Sequence, residues 1–229
     1  MDGDDVSGLV IQTSLGSSVK GRIAFDSYLG TNTPRPDTVE ILPVPVDPDH
    51  SSASPVSANI HEDGSFEVAG LNGPRRLELV RAPIGWTLKE IRVRGIDVTD
   101  RVIPFGRSDQ SLADVEVVLS DRINDVSGAI VDDRARPVPG SHVVVFAADR
   151  DLWYPASRFV RLAAAGTDGA IALAGLPPGS YYAAAVATLP ADGGRRLAGA
   201  GVSGVAGAAR AFALGEAQKQ VLNLKLDTK

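Results

Sequence analysis

The chain has 229 residues, a formal net charge of −5 and no cysteine. This length suits one or two domains, and the acidic balance disfavours non-specific binding to nucleic acids or anionic membranes. The absence of cysteine excludes disulfide bonds, zinc–thiolate sites and thiol catalysis. No apolar run reaches the length of a membrane-spanning helix, about 18 residues, so membrane insertion is not expected.

The first half of the chain alternates short apolar runs with clusters of turn residues, which is typical of β-strands in a sandwich. Residues 39–46 form an apolar run that contains two prolines, and this favours the edge of a sheet. Asp63-Gly64 is a hairpin dipeptide that predicts a tight turn. Residues 47–58 are polar without apolar periodicity, and we expect a loop there. The other strands predicted in this half are residues 19–25, a strand containing Phe66 and Val68, 77–80, 87–93 and 115–119.

The second half shows the same alternation. The predicted strands are residues 126–131, 142–147, 159–163, 170–174, 181–186 and 221–226. Residues 190–210 are rich in glycine and alanine, which fits a loop or a short helix, because the glycines disfavour a long stable helix.

Three motifs of the first half return in the second half in the same order. They are Val19-Lys20-Gly21 as Val126-Ser127-Gly128, Asp63-Gly64 as Asp168-Gly169, and residues 115–119 as 222–226. A repeat of this size is a copied domain, because solenoid repeats have periods of about 20–50 residues. We therefore predict an all-β chain with two tandem antiparallel β-sandwich domains, at residues 19–120 and 121–229.

Residues 1–18 repeat the order of a last strand, a six-residue link and a Val-x-Gly motif, with the strand at residues 5–12. This order predicts that the segment ends a preceding, truncated copy, so that the chain is the C-terminal piece of a longer array. Alternatively, a lone strand pairs onto the first domain as an extra edge. The first five residues are acidic, whereas a signal peptide begins with basic residues.

The second copy carries a recognisable set of motifs. They are residues 126–133, Arg136-Pro137-Val138-Pro139-Gly140, residues 143–146, Thr167-Asp168-Gly169 and Gly175-Leu176-Pro177-Pro178-Gly179-Ser180-Tyr181. This set resembles the carboxypeptidase regulatory-like domain, the transthyretin-like (prealbumin-like) sandwich that follows the catalytic domain of some zinc carboxypeptidases. The resemblance implies an immunoglobulin-like sandwich used for support or binding. It does not imply peptidase activity, because the regulatory domain does not hold the active site.

The first copy is similar but departs from this pattern. It has Gly70-Leu71-Asn72-Gly73-Pro74 in place of the Pro-Pro-Gly turn, and Arg76 falls where the second copy has Tyr181. The same superfamily borders on starch-binding-like sandwiches and on the B-type repeats of bacterial adhesins.

The residues of common catalytic and metal sites are not arranged for that chemistry. His50, His61 and His142 show no metal-binding spacing, and no Gly-x-Ser-x-Gly elbow is present. Asp132-Asp133 falls at a predicted turn, where aspartate bonds to nearby backbone, and a calcium site there is the alternative. We predict no catalytic residue, no metal and no cofactor.

Two further patterns resemble known motifs without their context. Residues 199–204 spell GxGxxG, but no strand precedes them as a dinucleotide site requires. Lys20 is the lysine of the first strand, and an adhesin-type Lys–Asn cross-link would need it to be buried. Strand alternation places Lys20 on the solvent face, so we predict no cross-link.

Trp153 and Tyr154 lie in a polar segment between two predicted strands, together with Arg158. Such a group could stack a sugar ring and would form a weak ligand site in a carbohydrate-binding module. Alternatively, the aromatic rings cap the edge of the sandwich, since aromatic bodies bury readily. Trp86 is expected in the core, and Tyr181 and Tyr182 on opposite faces of a strand.

The leading functional prediction is a non-catalytic module for structure or protein interaction within a larger bacterial envelope or secreted protein. The alternative is a carbohydrate-binding module with a starch-binding-like fold. The expected partners are neighbouring domains of a longer parent chain, and either a protein or a polysaccharide. The family resemblance places such a protein in the periplasm, at the outer membrane or outside the cell.

Overall fold

The computed structural model describes residues 15–28, 30, 33–47, 57–188 and 209–226. The strand predicted at residues 5–12, most of the loop at 47–58, nearly all of 190–210, the GxGxxG motif and His50 lie outside the described residues.

The described residues form β-strands joined by turns and three short 3₁₀ helices, at Pro36–Thr38, Ser108–Gln110 and Arg150–Leu152. The strands are β1 Ser17–Asp26, β2 Glu40–Pro45, β3 Asn59–Ile60, β4 Ser65–Leu71, β5 Gly73–Arg81, β6 Thr87–Val93, β7 Ile96–Asp97, β8 Ile103–Phe105, β9 Leu112–Ser120, β10 Asp125–Val131, β11 His142–Ala147, β12 Val160–Ala164, β13 Ala170–Ala174, β14 Gly179–Val186, β15 Arg210–Leu214 and β16 Lys219–Lys225. The all-β fold class is confirmed.

Contacts divide the described residues into two compact units. The first unit comprises residues 15–26, 33–47, 57–84 and 90–119. It contains a six-stranded sheet in the order β3-β4-β1-β9-β6-β7 and a three-stranded sheet in the order β2-β5-β8. The proline-containing β2 lies at a sheet edge, as its prolines predict.

The second unit comprises residues 27, 28 and 30, 85–89, 120–188 and 209–226. Its sheets have the orders β13-β10-β16 and β12-β11-β14-β15. Side chains from both sheets share one buried cluster that includes Val126, Val145, Tyr181 and Leu222. Two sheets that bury their facing side chains together form a β-sandwich.

The first and last strands of the second unit pair in parallel, with Gly128 opposite Leu222. The antiparallel prediction therefore fails for this pair. A Cβ on Gly128 would collide with the carbonyl oxygen of Leu222, and a Cβ on Gly21 would collide with that of Val115. This close approach explains why both copies carry the Val-x-Gly motif, since glycine alone leaves room for the neighbouring backbone.

The two Asp-Gly turns are also built alike. Asp63 Oδ1 accepts from Ser65 N at 2.9 Å, and Asp168 Oδ1 accepts from Ala170 N at 3.0 Å. Gly64 and Gly169 have φ values of 82° and 75°. The hydrogen bonds from Ser65 lower the pKa of the Asp63 carboxyl.

Residues 120–125, which connect β9 to β10, are folded into the second unit. Asp121 is buried and accepts from Ser27 Oγ at 2.9 Å and from Tyr28 N at 2.8 Å. Asn124 is buried too: its Nδ2 donates to Leu176 O at 2.9 Å, and its Oδ1 accepts from Gln218 N at 2.7 Å. The connection therefore has its own buried hydrogen bonds.

Candidate functional site

The Pro-Pro-Gly turn of the second copy is held by the tyrosine that follows it. The Tyr181 hydroxyl donates to the carbonyl of Pro177 at 2.7 Å, and the ring is 1% exposed. The ring also stacks on Phe212, with centroids 5.6 Å apart. A tyrosine that bonds back to the preceding turn fixes the entry into a sandwich strand.

In the first copy this position is occupied by Arg75, and the prediction that it is Arg76 was wrong. The first turn is one residue shorter, so the second residue of β5 after Gly73 is Arg75, as Tyr181 is the second after Gly179. Arg75 is 3% exposed. Its Nε donates to Asn72 O at 3.0 Å and its Nη1 to Pro43 O at 2.9 Å.

The buried Arg75 guanidinium bonds to two backbone carbonyls. Its pKa is lowered because burial removes the charged group from water. Nearby in β5, burial raises the pKa of Glu78 to about 7, and Asp100 raises it further while Arg76 opposes the shift. The second copy has no counterpart of these charges, since the matching residues of β14 are Tyr181 and Ala184.

Trp153 lies under the surface at the outer face of the sheet that contains β11. It is 8% exposed, and its Nε1 donates to Ala147 O at 2.7 Å. It packs edge-on against Phe146 with centroids 5.3 Å apart, in a cluster with Val144. A ring that stacks on a sugar needs one exposed face. The burial of Trp153 therefore favours the alternative interpretation, in which the ring packs against the sandwich.

The other two residues of the predicted ligand group are also engaged. Tyr154 is half-buried, and its carbonyl accepts from Ser157 N at 3.1 Å. Arg158 donates to Leu88 O at 2.8 Å and lies 5.0 Å from the centroid of the Phe159 ring. The structure brings the three residues onto one segment without presenting them as an open aromatic surface.

The continuous apolar run of β11 could have predicted that a segment such as the one carrying Trp153 covers the outer face of this strand. Residues 143–147 are all buried, whereas a strand with one solvent face would alternate. Such a strand needs a cover on each side, and the segment carrying Trp153 covers the outer side. Trp86 is buried, Tyr181 is buried and Tyr182 is 36% exposed, as predicted.

The outer face of the six-stranded sheet in the first copy carries a set of ion pairs, which we call the charged face. Lys20 Nζ lies 2.9 Å from Glu67 Oε1, and Arg22 Nη2 lies 2.7 Å from Glu116 Oε1. Arg92 Nη2 lies 2.6 Å from an oxygen of Glu90. A shallow groove of about 610 Å³ crosses this face. Lys20 is solvent-exposed, which agrees with its predicted place outside the core.

The centre of the corresponding face in the second copy carries uncharged side chains, and we call this central part the neutral face. The charged residues of that face, Asp125, Lys219 and Lys225, are exposed at its ends. The exposed or half-buried members of the neutral face are Ser127, Ala129, Ala170, Ala172, Ala174, Val221 and Asn223. The same sheet position therefore has different surface chemistry in the two copies.

A second groove of the first unit, of about 290 Å³, lies between the ends of its two sheets, and we call it the apolar groove. It is lined by Val93, Arg94, Ile96, Val98, Arg101, Val102, Ile103, Pro104 and Leu112. Ile96 is 65% exposed and Val102 is 45% exposed. Ile96 stands between Gly95 and Asp97, so its apolar character was an available signal for this surface. Val102 gave no such signal, because it begins the apolar run Val102-Ile103-Pro104-Phe105.

In the described part of the chain, no cluster of three or more His, Asp or Glu side chains is suited to a metal. Asp132 accepts from the backbone nitrogens of Arg134 and Arg136 at 2.8 and 2.9 Å, as its turn position predicts. Arg136 lowers the pKa of this carboxyl. Within the same residues no helix has the length and apolar character to cross a membrane.

No family model and no curated protein matches the chain. Among solved structures, a streptococcal ancillary pilin is 16% identical, with a TM-score of 0.37; the match covers 95% of this chain and 64% of that one. The shaft pilin SpaA from Lactobacillus rhamnosus GG is 11% identical, with a TM-score of 0.31 and coverages of 92% and 98%. The Bacillus anthracis TIE protein is 14% identical, with a TM-score of 0.28 and coverages of 92% and 33%. Similarity at this level does not assign the chain to a family.

Proposed function

We propose that the chain is a non-catalytic structural and protein-interaction segment of a larger bacterial envelope or secreted protein. It consists of two tandem sandwich modules, residues 19–120 and 121–229, and the second is similar in its motifs to carboxypeptidase regulatory-like domains. Its partners are neighbouring domains of the parent chain and other proteins.

The observation that carries this proposal is the folded connection at residues 120–125. A flexible linker is exposed and rich in glycine, serine or proline. Here Asp121 and Asn124 are buried, and each accepts or donates two hydrogen bonds. Buried polar groups are costly unless they are satisfied, so such a connection is built to hold its geometry. A folded connection of this kind suits a structural segment.

Limited trypsin digestion of the full chain tests this proposal, because Arg122 stands within the connection. Its Nη1 lies 2.5 Å from Glu216 Oε2, and its guanidinium lies 4.3 Å from the centroid of the Tyr28 ring. We expect mass spectrometry to show cleavage at the exposed Arg134 well before cleavage at Arg122. Asn124→Ala should make Arg122 susceptible, because it removes both buried hydrogen bonds. Early cleavage at Arg122 in the unaltered chain would contradict the proposal.

A further inference from the structure

We propose that the apolar groove of the first unit binds a partner protein through an extended peptide segment that alternates aliphatic and acidic residues. This inference rests on the proposed function, because it names a partner surface for a protein-interaction module.

Exposure of large aliphatic side chains is the first observation. Ile96 and Val102 are 65% and 45% exposed on the same groove. Burial of such side chains against a partner is favourable, because it removes apolar surface from water. Grouped exposed aliphatic residues with a polar rim are typical of an interaction site.

The open shape of the groove, more than its size, indicates the kind of occupant. Its volume is about 290 Å³. Pockets that enclose a drug-sized molecule have volumes of about 300–1,000 Å³. The apolar groove lies on the surface between two sheet ends, so it suits two or three aliphatic side chains that project from an extended peptide.

The sheet edges show how the peptide is recognised. β7 ends the six-stranded sheet and β8 ends the three-stranded sheet. Pro104, in the middle of β8, has no N–H to donate, so an added strand could not form a complete ladder there. Recognition therefore depends on side chains.

The charges of the groove determine the polar part of the peptide. Among the described residues that line it, the charged ones are Arg94 and Arg101. Arg94 Nε is 3.9 Å from Asp114 Oδ2 in an exposed pair, which leaves donors for another carboxylate. Asp97, beside Ile96, already accepts from the backbone nitrogen and hydroxyl of Thr99. Carboxylates that flank the aliphatic residues would form charge-assisted hydrogen bonds with the arginines.

The test uses a fluorescein-labelled hexapeptide of alternating aspartate and leucine and the full chain, with binding measured by fluorescence anisotropy. We expect saturable binding that weakens at least about tenfold in Ile96→Asp, since this change removes an apolar contact and repels the peptide. Arg101→Glu should weaken binding of this peptide about fivefold or more and leave a serine–leucine peptide unaffected.

Matched controls keep the test specific. Ile84 is fully exposed outside the groove, and Arg134 is exposed in the other unit. Ile84→Asp and Arg134→Glu should bind the peptide as the unaltered chain does. Thermal unfolding should be unchanged in Ile96→Asp, because the residue is exposed.

Equal binding of a lysine–leucine peptide would overturn the proposal, as would equal loss in the Ile84→Asp control. Competition by octanoate as effective as that by unlabelled peptide would assign the groove to small amphipathic acids instead. Absence of saturable binding at peptide concentrations up to about 1 mM would also reject it. None of these results alters the protection of Arg122 from trypsin, which tests the proposed function separately.

Discussion

Arg75 in the first copy and Tyr181 in the second occupy the same place after a turn and perform the same task with different chemistry. Each donates to a carbonyl of the turn that precedes it, Asn72 O at 3.0 Å and Pro177 O at 2.7 Å. The tyrosine is neutral and brings a buried ring, whereas the arginine brings a buried charge. In both copies a hydrogen-bond donor at this position bonds to a carbonyl of the turn. In the first copy the donor is a charged group, whose burial is unfavourable, and in the second copy it is a neutral hydroxyl.

The outer faces of the two equivalent sheets differ in a similar way. The charged face of the first copy pairs Lys20 with Glu67 and Arg22 with Glu116. The neutral face of the second copy presents uncharged side chains at the centre of the equivalent sheet, with charged residues at its ends only. A sandwich sheet needs its inward residues for stability and leaves its outward residues free to vary, so surface chemistry can diverge while the fold persists.

The largest effect is expected at the glycine that both copies share. In Gly128→Ala the new Cβ would overlap the carbonyl of Leu222, so β10 and β16 would have to separate. We expect a loss of about 3–5 kcal/mol in the free energy of unfolding, measured by urea denaturation.

Gly140→Ala is the control for this change. Gly140 has a φ of 75°, and among the described residues other than its chain neighbours no atom would lie within 4 Å of an added Cβ. This variant should lose only about 1–2 kcal/mol through backbone strain. A loss in Gly128→Ala no greater than that of the control would show that the close approach does not limit the fold.

The next largest effect is expected for Arg75→Lys. Lysine keeps the buried charge but cannot reach both Asn72 O and Pro43 O, since it lacks the forked guanidinium. We expect a destabilisation of about 2–3 kcal/mol in urea denaturation. The matched change, Tyr181→Phe, removes one neutral hydrogen bond and should cost about 1 kcal/mol. Equal losses of stability in both variants would contradict the distinction between the Arg75 turn and the Tyr181 turn.

A smaller, pH-dependent effect is expected at Glu78. Its pKa is about 7 when folded against the ordinary 4.5, so the folded state binds more protons between these values. Stability should therefore fall as pH rises from about 4.5 to 7. Glu78→Gln should be more stable than the unaltered chain at pH 8 by about 1 kcal/mol, after allowance for partial exposure, and show no gain at pH 4.

Glu67→Gln is the control for this pH dependence. Glu67 is an exposed strand residue in an ion pair, and Glu67→Gln should keep the pH dependence that Glu78 confers. A Glu78→Gln curve parallel to that of the unaltered chain would show that Glu78 does not titrate in this range.

The smallest effect is expected on the charged face. Lys20 and Glu67 are 57% and 52% exposed, so water screens their attraction. Lys20→Met should change the free energy of unfolding by no more than about 0.5 kcal/mol. A double-mutant cycle with Glu67→Gln, repeated in 1 M NaCl, should show the coupling disappear. Coupling above about 1 kcal/mol would mean that the charged face contributes to stability as a network.

Strand positions were predictable where the apolar period and the turn signals agreed. Three strands were predicted with the bounds that the structure shows, Thr87–Val93, His142–Ala147 and Ala170–Ala174. The strand Arg210–Leu214 was missed, because it follows a glycine- and alanine-rich stretch that masks its short apolar pattern. The strands β3, β7 and β8 have two or three residues each, too few for a period to be recognised.

The candidate surfaces were less predictable. The sequence contained Trp153 as an aromatic residue among charges, which is equally typical of a sugar platform and of a buried cover. Which of the two interpretations applies depends on which face of β11 is not covered by the other sheet. That is decided by residues far apart in the sequence. The apolar groove is formed where β7 and β8 end two different sheets, so no local segment encodes it.

By itself, the sequence determined the all-β class, several strand positions and the Asp-Gly turns, because these follow from local periodicity and turn chemistry. Only the tertiary structure decided that Arg75 in the first copy is equivalent in position to Tyr181 in the second. The turn before Arg75 is shorter by one residue, and this changes which side chain faces inward. The tertiary structure also decided that Trp153 is buried, because a side chain is exposed or covered according to what packs against it from elsewhere in the chain.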